Sequence, residues 1–522
     1  MEFASRLRGM RQLRERAFMK RKCGILMPIT SLPSRYGIGS FSKEAYDFID
    51  FLKEAGQTYW QILPLGQTGY GDSPYQSFST FAGNPYFIDP DCFLEAGYLE
   101  PSDLENVDWG KDPLRVDYEK IYHHRFSILR KAYENSPYRL HKEDLTKQER
   151  SEAAEFEDFI SQQADWLKDY ALYSAIKNEF QGKGLAEWET EVRLRRPEAL
   201  DFYREKLADE IRFYEFQQYF FRKQWLALKK YANRQKIKII GDIPIYVAFD
   251  SADTWSHPEL FQLDEKGFPT AVAGCPPDGF SATGQLWGNP LYRWEYHRET
   301  GYQWWMKRLS ACFELYDVVR IDHFRGFDEY FAIPYGDTTA ERGCWQPGPG
   351  YDFMQAIRKN LGNKPIIAED LGFLTPSVLK LVKKSGYPGM KVMQFAFDSR
   401  EEGDYLPHNY PHNCVVYTGT HDNDTIAGWL EKVSKSDLRH AKEYLNIHTA
   451  KELNWVLIRH TLATVADTAI IPIQDYLGLG SEARINTPST LGGNWQWRLA
   501  PGQINSQLAK RILDVTQMYG RI

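Results

Sequence analysis

Cysteine is scarce in this chain and scattered where it occurs. Its 522 residues hold six: Cys23, Cys92, Cys275, Cys312, Cys344 and Cys414. No two stand at metal-ligand spacing, so neither a zinc knuckle nor a disulfide framework is indicated. The pattern fits reduced thiols in a cytoplasmic protein. Long apolar runs are missing as well. Nothing approaches the ~18 residues that a membrane span requires, and no signal-peptide core stands near the start. Positive charge is not in excess: 64 Lys and Arg face 70 Asp and Glu, a net charge of −6. A nucleic-acid or anionic-membrane partner is therefore disfavoured. Internal repeats and low-complexity tracts are absent too.

What the chain does have is length and aromatic surface. A chain of this size should bury roughly three quarters of its unfolded surface, enough to need no covalent staple. Its 15 Trp, 32 Tyr and 30 Phe exceed what an average core uses. The surplus fits sugar binding, in which pyranose faces stack on flat rings with polar edges. Composition alone does not choose between core and ligand.

Residues 1–18 are arginine-rich and lack apolar periodicity, so they read as an upstream extension, with a targeting peptide as the rival reading. From residue 19 onward a single catalytic domain is expected. Short apolar, often β-branched runs recur at 24–29, 59–65, 237–247, 317–324, 365–370, 390–397, 414–421 and 469–473. Such runs suit parallel strands buried on both faces. Eight of them, separated by helical segments, predict a (β/α)₈ TIM barrel. The spacing is uneven. A mostly helical insertion is expected after strand 2, over about 90–235, and its last helix carries one apolar stripe: Phe221, Trp225, Leu228 and Ala232. The Gly-, Pro- and Trp-rich segment 249–315 is expected to form long irregular loops over the carboxyl-terminal face.

Acids cluster at the ends of three predicted strands. In Val-Val-Arg-Ile-Asp-His-Phe-Arg-Gly-Phe (318–327), Arg320 and Asp322 are two apart and project from one strand face. A guanidinium there keeps a carboxylate ionised, as a nucleophile must be, although a structural ion pair reads equally well. In Ile-Ile-Ala-Glu-Asp-Leu-Gly (366–372), Glu369 follows an apolar run to the barrel mouth, where desolvation raises a carboxyl pKa towards that of a general acid. In Tyr-Thr-Gly-Thr-His-Asp-Asn-Asp-Thr (417–425), His421, Asp422 and Asp424 crowd another strand end. Turn chemistry explains them as readily, and calcium-loop spacing is missing. Together the three segments put acids on the face where barrel enzymes work, and two carboxylates flanking one bond is what glycoside chemistry uses.

Beyond these, Pro-Ile-Thr-Ser-Leu-Pro-Ser (28–34), Gly-Asp-Ser-Pro-Tyr-Gln (71–76), Gly-Asp-Ile-Pro-Ile-Tyr-Val (241–247), Val-Ala-Gly-Cys-Pro-Pro-Asp (272–278), Trp-Gly-Asn-Pro (287–290) and Leu-Gly-Gly-Asn-Trp-Gln-Trp-Arg (491–498) occur in order. With these motifs the chain resembles the 4-α-glucanotransferases (amylomaltases) of glycoside hydrolase family 77, from about residue 24 to 499. The resemblance implies Asp322 as nucleophile, Glu369 as general acid/base and Asp422 as the residue that stabilises the transition state. It puts Arg320, His421 and Asp242 around the same subsite. Ser73 and Tyr75 become donor-side sugar contacts, and Trp287, Asn289 and Asn486 further glucan contacts. Asp278 falls in the acceptor-site lid at 276–280, which departs from the family at Gly279, where a larger side chain is expected. The implied substrates are α-1,4-glucans and maltooligosaccharides, with glucose as an acceptor. Bond energy is conserved in transfer, so no cofactor and no metal is expected. An α-amylase-type hydrolase built on the same carboxylates is the alternative.

Overall fold

The structure is a computed structural model. It describes residues 21–69, 71–139, 145–277, 281–372, 374–398, 403–447, 453–490 and 492–522. The extension read at 1–18 lies outside them, as do Asp278 and Gly279.

Among the described residues twelve strands form two sheets. They are β1 (Lys22–Leu26), β2 (Tyr59–Gln61), β3 (Lys238–Pro244), β4 (Ala271–Cys275), β5 (Gln285–Pro290), β6 (Val318–Asp322), β7 (Glu329–Pro334), β8 (Cys344–Pro347), β9 (Ile366–Ala368), β10 (Gly389–Val392), β11 (Cys414–Tyr417) and β12 (Thr468–Pro472). Eight of them make one parallel sheet in the order β10-β11-β12-β1-β2-β3-β6-β9. Around the sheet this is strict sequence order, as in a TIM barrel. The remaining seam, between β9 and β10, is bridged by the Ala368 N–H donating to the Pro388 carbonyl at 2.9 Å. Asp370 reinforces it by accepting from the Met390 N–H at 2.6 Å. All eight predicted runs carry a barrel strand.

Side-chain alternation sets the layers. Leu26, Ile240, Ile367, Met390, Val415, Tyr417 and Ile470 form one buried cluster inside the barrel. Their neighbours Ile25, Ile239, Val319, Ile321, Ile366, Ala368, Val416 and Ile471 pack outward against helices. On β3 the inward parity of Ile240 passes to Asp242, and on β9 that of Ile367 passes to Glu369. Val318 joins the inner cluster, so Arg320 and Asp322 on β6 also face inward. Gly241 lies at the outer face, where the Tyr316 ring occupies the space a Cβ would need, 2.1 Å away.

The helices between β2 and β3 include Tyr118–Asn135, Lys147–Gln162, Ala164–Glu179 and Ala208–Arg234. In the last, Phe221, Trp225, Leu228 and Ala232 are all buried. Trp225 donates its indole N–H to the Leu315 carbonyl at 3.0 Å, which ties this helix to the end of helix Gln303–Leu315. A second apolar cluster, with Leu167, Tyr173, Trp188 and Trp255, fills the helical region itself.

The segment 249–315 departs from expectation. It is not wholly irregular: β4 and β5 pair antiparallel and join β7 and β8 in a second sheet, ordered β5-β4-β7-β8. Gly274, Gly288 and Pro290, with a register shift between Val272 and Gly274, break the two-residue alternation that marks a strand in sequence. Among the described residues no helix is long and apolar enough to cross a membrane.

Candidate active site

The floor of the barrel mouth is a row of charges on adjacent strands. Asp242 and Arg320 stand directly opposite each other in the β3–β6 register. The Arg320 guanidinium donates to Asp242 at 2.6 Å and reaches Asp322 at 3.0 Å, with Asp242 fully buried and Arg320 4% exposed. The Tyr75 hydroxyl also donates to Asp242, at 2.8 Å. Burying such charges is costly unless they are mutually paired. Here one guanidinium serves two carboxylates, and Asp242 acts as its anchor. A cavity of about 60 Å³ lies behind this row, lined by Tyr75, Asp242, Tyr246 and Tyr316 among others.

Asp322 and Glu369 come next. Ile321 pairs with Ala368, so the two acids occupy the following register position, and the Glu369 N–H donates to the Ile321 carbonyl at 3.1 Å. Both carboxylate oxygens of Glu369 are held by backbone donors. His323 N–H reaches Oε2 at 2.6 Å, and Leu371 N–H reaches Oε1 at 2.8 Å. Burial, and after it the charge of Asp322, push Glu369 up to about 7 against the pull of Arg320 and the two N–H groups. Burial also raises Asp322, but the adjacent guanidinium counters it, so Asp322 lies below Glu369. The pair therefore has a form in which Asp322 is ionised and Glu369 protonated.

The third acid is treated in the opposite way. Asp422 follows β11 on a loop, with its side chain 42% exposed and His421 Nε2 3.3 Å away. Burial alone would raise its pKa, but His421, the Asn486 amide and Arg320 carry it down to about 2. Asn486 donates its amide to Asp422 Oδ1 at 2.6 Å. Arg484 donates to the backbone carbonyls of both Asp422 and Asn486, at 2.6 and 2.7 Å. His421 is buried, stacked on Tyr75 at 5.1 Å, with Trp495 5.9 Å from each ring. Asp424 turns away from this group, bonding Ser481 at 2.8 Å and Lys432 at 2.7 Å.

The remaining candidates sit around the rim. Ser73 accepts the Tyr75 N–H at 3.3 Å, shaping the turn that delivers Tyr75. Asn289 is buried and already bonded, donating to the Val247 carbonyl at 2.8 Å and accepting from Gln76 at 3.2 Å. Trp287 presents a half-buried ring edge-on to His323 at 4.8 Å. Asp278 lies outside the described residues. Sequence reasoning missed Gln76, His323, Arg484 and the position of Trp495. Gln76 and Trp495 stand in motifs it singled out, and His323 is the residue after Asp322; Arg484 carries no local signal.

The family model for glycoside hydrolase family 77, described as 4-alpha-glucanotransferase, matches residues 27–504. The 4-alpha-glucanotransferase of Clostridium butyricum is 48% identical over 497 residues, covering 95% of this chain and all of the relative. That of Thermus thermophilus is 46% identical over 511 residues, 97% of this chain and all of the relative. The amylomaltase of Streptococcus agalactiae, solved in complex with acarbose, superposes with a TM-score of 0.91 at 43% identity, covering 96% of this chain and all of that one. The chain belongs to the 4-alpha-glucanotransferase family, glycoside hydrolase family 77.

Proposed function

We propose that Asp322 and Glu369 carry out transfer between α-1,4-glucans by retaining double displacement. In the first step an Asp322 oxygen attacks the anomeric carbon of the donor while Glu369 gives its proton to the departing 4-oxygen. The glycosidic bond breaks, a shorter glucan leaves, and a β-glycosyl ester forms on Asp322. In the second step Glu369, now ionised, takes the proton from the 4-hydroxyl of an acceptor. That oxygen attacks the same carbon, the ester breaks, and the Asp322 carboxylate is regenerated with an α-1,4 bond in the product. Asp422 accepts hydroxyls of the distorted ring. Arg320 holds Asp322 ionised, and Asp242 holds Arg320. Tyr75 and His421 wall the subsite, Asn486 supports Asp422, and Asn289 supports Gln76.

One observation carries this reading above the rest: two inward acids at the same register position on adjacent strands, one bridged by Arg320 and the other kept protonatable near neutrality. A retaining pair requires carboxyl groups only ~5 Å apart, and neighbouring strands lie ~4.8 Å apart. The relative bound to acarbose supports a maltooligosaccharide in the cleft, and we assign glucose as an acceptor. Six cysteines scattered along the chain, with no framework spacing, support a cytoplasmic setting. Carboxylates suffice for both steps, so the reading calls for no cofactor.

Transfer and hydrolysis part at the second step, where an acceptor sugar must outcompete water. A well-placed hydroxyl has an effective molarity of ~10⁵ M or more, which suffices. Incubation with pure maltotriose, with products read by mass, tests the assignment. Glucose and a ladder of products longer than maltotriose are expected. Glucose and maltose with no longer product would make the enzyme a hydrolase.

A further inference from the structure

The residue after Asp322 has an unusual backbone. His323 takes φ +53° and ψ +49°, the left-handed region, immediately before the turn Phe324–Phe327. Side chains other than glycine rarely sit there, and the conformation persists only where the surroundings enforce it. Its consequence is directional. Leaving β6 through a left-handed residue turns two successive N–H groups onto Glu369: that of His323 to the side-chain oxygen Oε2 at 2.6 Å, and that of Phe324 to the backbone carbonyl at 3.0 Å. An extended residue at 323 would point these two N–H groups to opposite sides of the chain. The imidazole takes no part in this contact. It lies edge-on to Trp287 at 4.8 Å, and its buried Nε2 has no hydrogen-bond partner among the described residues.

We propose that His323 is a positioning residue, whose left-handed backbone turns its own N–H and that of Phe324 together onto Glu369 and so fixes the acid/base, while its imidazole is dispensable to that task. The inference rests on Glu369 being the acid/base. Leu371 holds the other oxygen from the following loop, so His323 supplies the half of the clamp that comes from the nucleophile's own strand. Any movement of β6 then carries both reacting acids together. The clamp has a second effect. Its donors favour the carboxylate, which the second step needs as a base, against burial and the Asp322 charge. Burial pushes the imidazole down to about 3, so it stays neutral and adds no charge beside Arg320, Asp322 and Glu369.

The test is a series at this position in the full chain: H323G, H323A and H323V. Glycine adopts the left-handed region freely, alanine with strain, and a β-branched valine least of all. Two donors are compared: maltotriose, which needs the acid, and an α-glucosyl fluoride, whose departure needs little. With maltotriose, H323G should stay within about threefold of the parent. H323V should lose roughly 10- to 100-fold, the worth of one hydrogen bond to a charged group, and H323A should fall between. The basic limb of the pH profile should move up in H323V and stay in place in H323G. Ester formation from the fluoride should survive in all three, which also verifies folding. In an E369Q background, H323V should cost nothing further with maltotriose. Equal losses in H323G and H323V would show that the imidazole is what matters, and wild-type behaviour throughout would show that the turn does nothing; either overturns the proposal. The acid/base reading fails separately, if E369Q alone loses equally with both donors.

Discussion

The strand-borne acids at the floor of the mouth and the loop-borne acid at its rim are the same chemical groups handled in opposite ways. Asp242, Asp322 and Glu369 extend the inward faces of β3, β6 and β9, where burial lifts the carboxyls of Asp322 and Glu369 and one guanidinium is shared between Asp242 and Asp322. Asp422 sits on the loop after β11, where His421 and Asn486 pull it down to about 2. A rigid sheet can hold groups at mutually unfavourable separations because its ladder fixes their backbones. A loop cannot, and its acid is stabilised instead by partners chosen for it. The floor therefore suits groups that must exchange a proton or form a bond, and the rim suits a permanent anion that binds hydroxyls.

The comparison breaks most visibly at Asp322. Its replacement by Asn should abolish turnover with maltotriose and with an α-glucosyl fluoride alike, since no other group forms the ester. Glu369→Gln should lose ~10²–10⁴-fold with maltotriose, the usual worth of an acid/base, and far less in ester formation from the fluoride. Single-turnover measurements with both donors read the difference. Equal losses in both variants with both donors would contradict the division of roles between Asp322 and Glu369.

A smaller but still large effect is expected behind the nucleophile. Asp242→Asn leaves Arg320 buried with half its compensation. Removing one partner of a buried ion pair costs ~3–5 kcal/mol. Urea unfolding should show a loss of that order, together with a fall in kcat as Asp322 loses its bridge. A variant as stable as the parent would mean that Asp242 does not anchor the row.

The pH profile sharpens the comparison with the mildest perturbation. In the first step Glu369 must be protonated, so kcat/KM for maltotriose should fall as pH rises through about 7. It should fall on the acid side as Asp322 gains a proton, the two limbs belonging to the pair jointly. Asp422 has a depressed pKa. Its contribution is therefore present above the ordinary carboxylate range and is lost only as pH falls through about 2, outside the working window. Asn486→Leu should weaken transfer by roughly tenfold, a hydrogen bond to a charged group, without moving either limb. A shifted basic limb in that variant would couple rim to floor, contrary to the division drawn above.

The fold was legible where the chain obeys local rules. Continuous β-branched runs marked the barrel strands, although each run was read past its strand's end: Pro64 lies beyond the end of β2, for example, and Met393–Phe397 curls into a 3₁₀ turn after β10. The antiparallel sheet was hidden because its strands are short, glycine- and proline-bearing, and paired across distant segments. The positions of Arg320, Asp322 and Glu369 followed from strand parity, which a sequence displays. The bond from Asn486 to Asp422 joins residues 64 apart, and the left-handed turn at His323 leaves no compositional trace. Asn289 read as a sugar contact; its bonds to Val247 and Gln76 join segments far apart in the chain, and only packing reveals them.

The claim on which the rest depends is that the floor acid Asp322, and not the rim acid Asp422, forms the covalent bond. Glu369→Gln incubated with an α-glucosyl fluoride should accumulate the glycosyl-enzyme, because ester formation stays open while acceptor attack lacks its base. Intact-protein mass spectrometry should show one glycosyl adduct, and peptide mapping should put it on the peptide that contains Asp322. An adduct on the peptide that contains Asp422 would contradict the account.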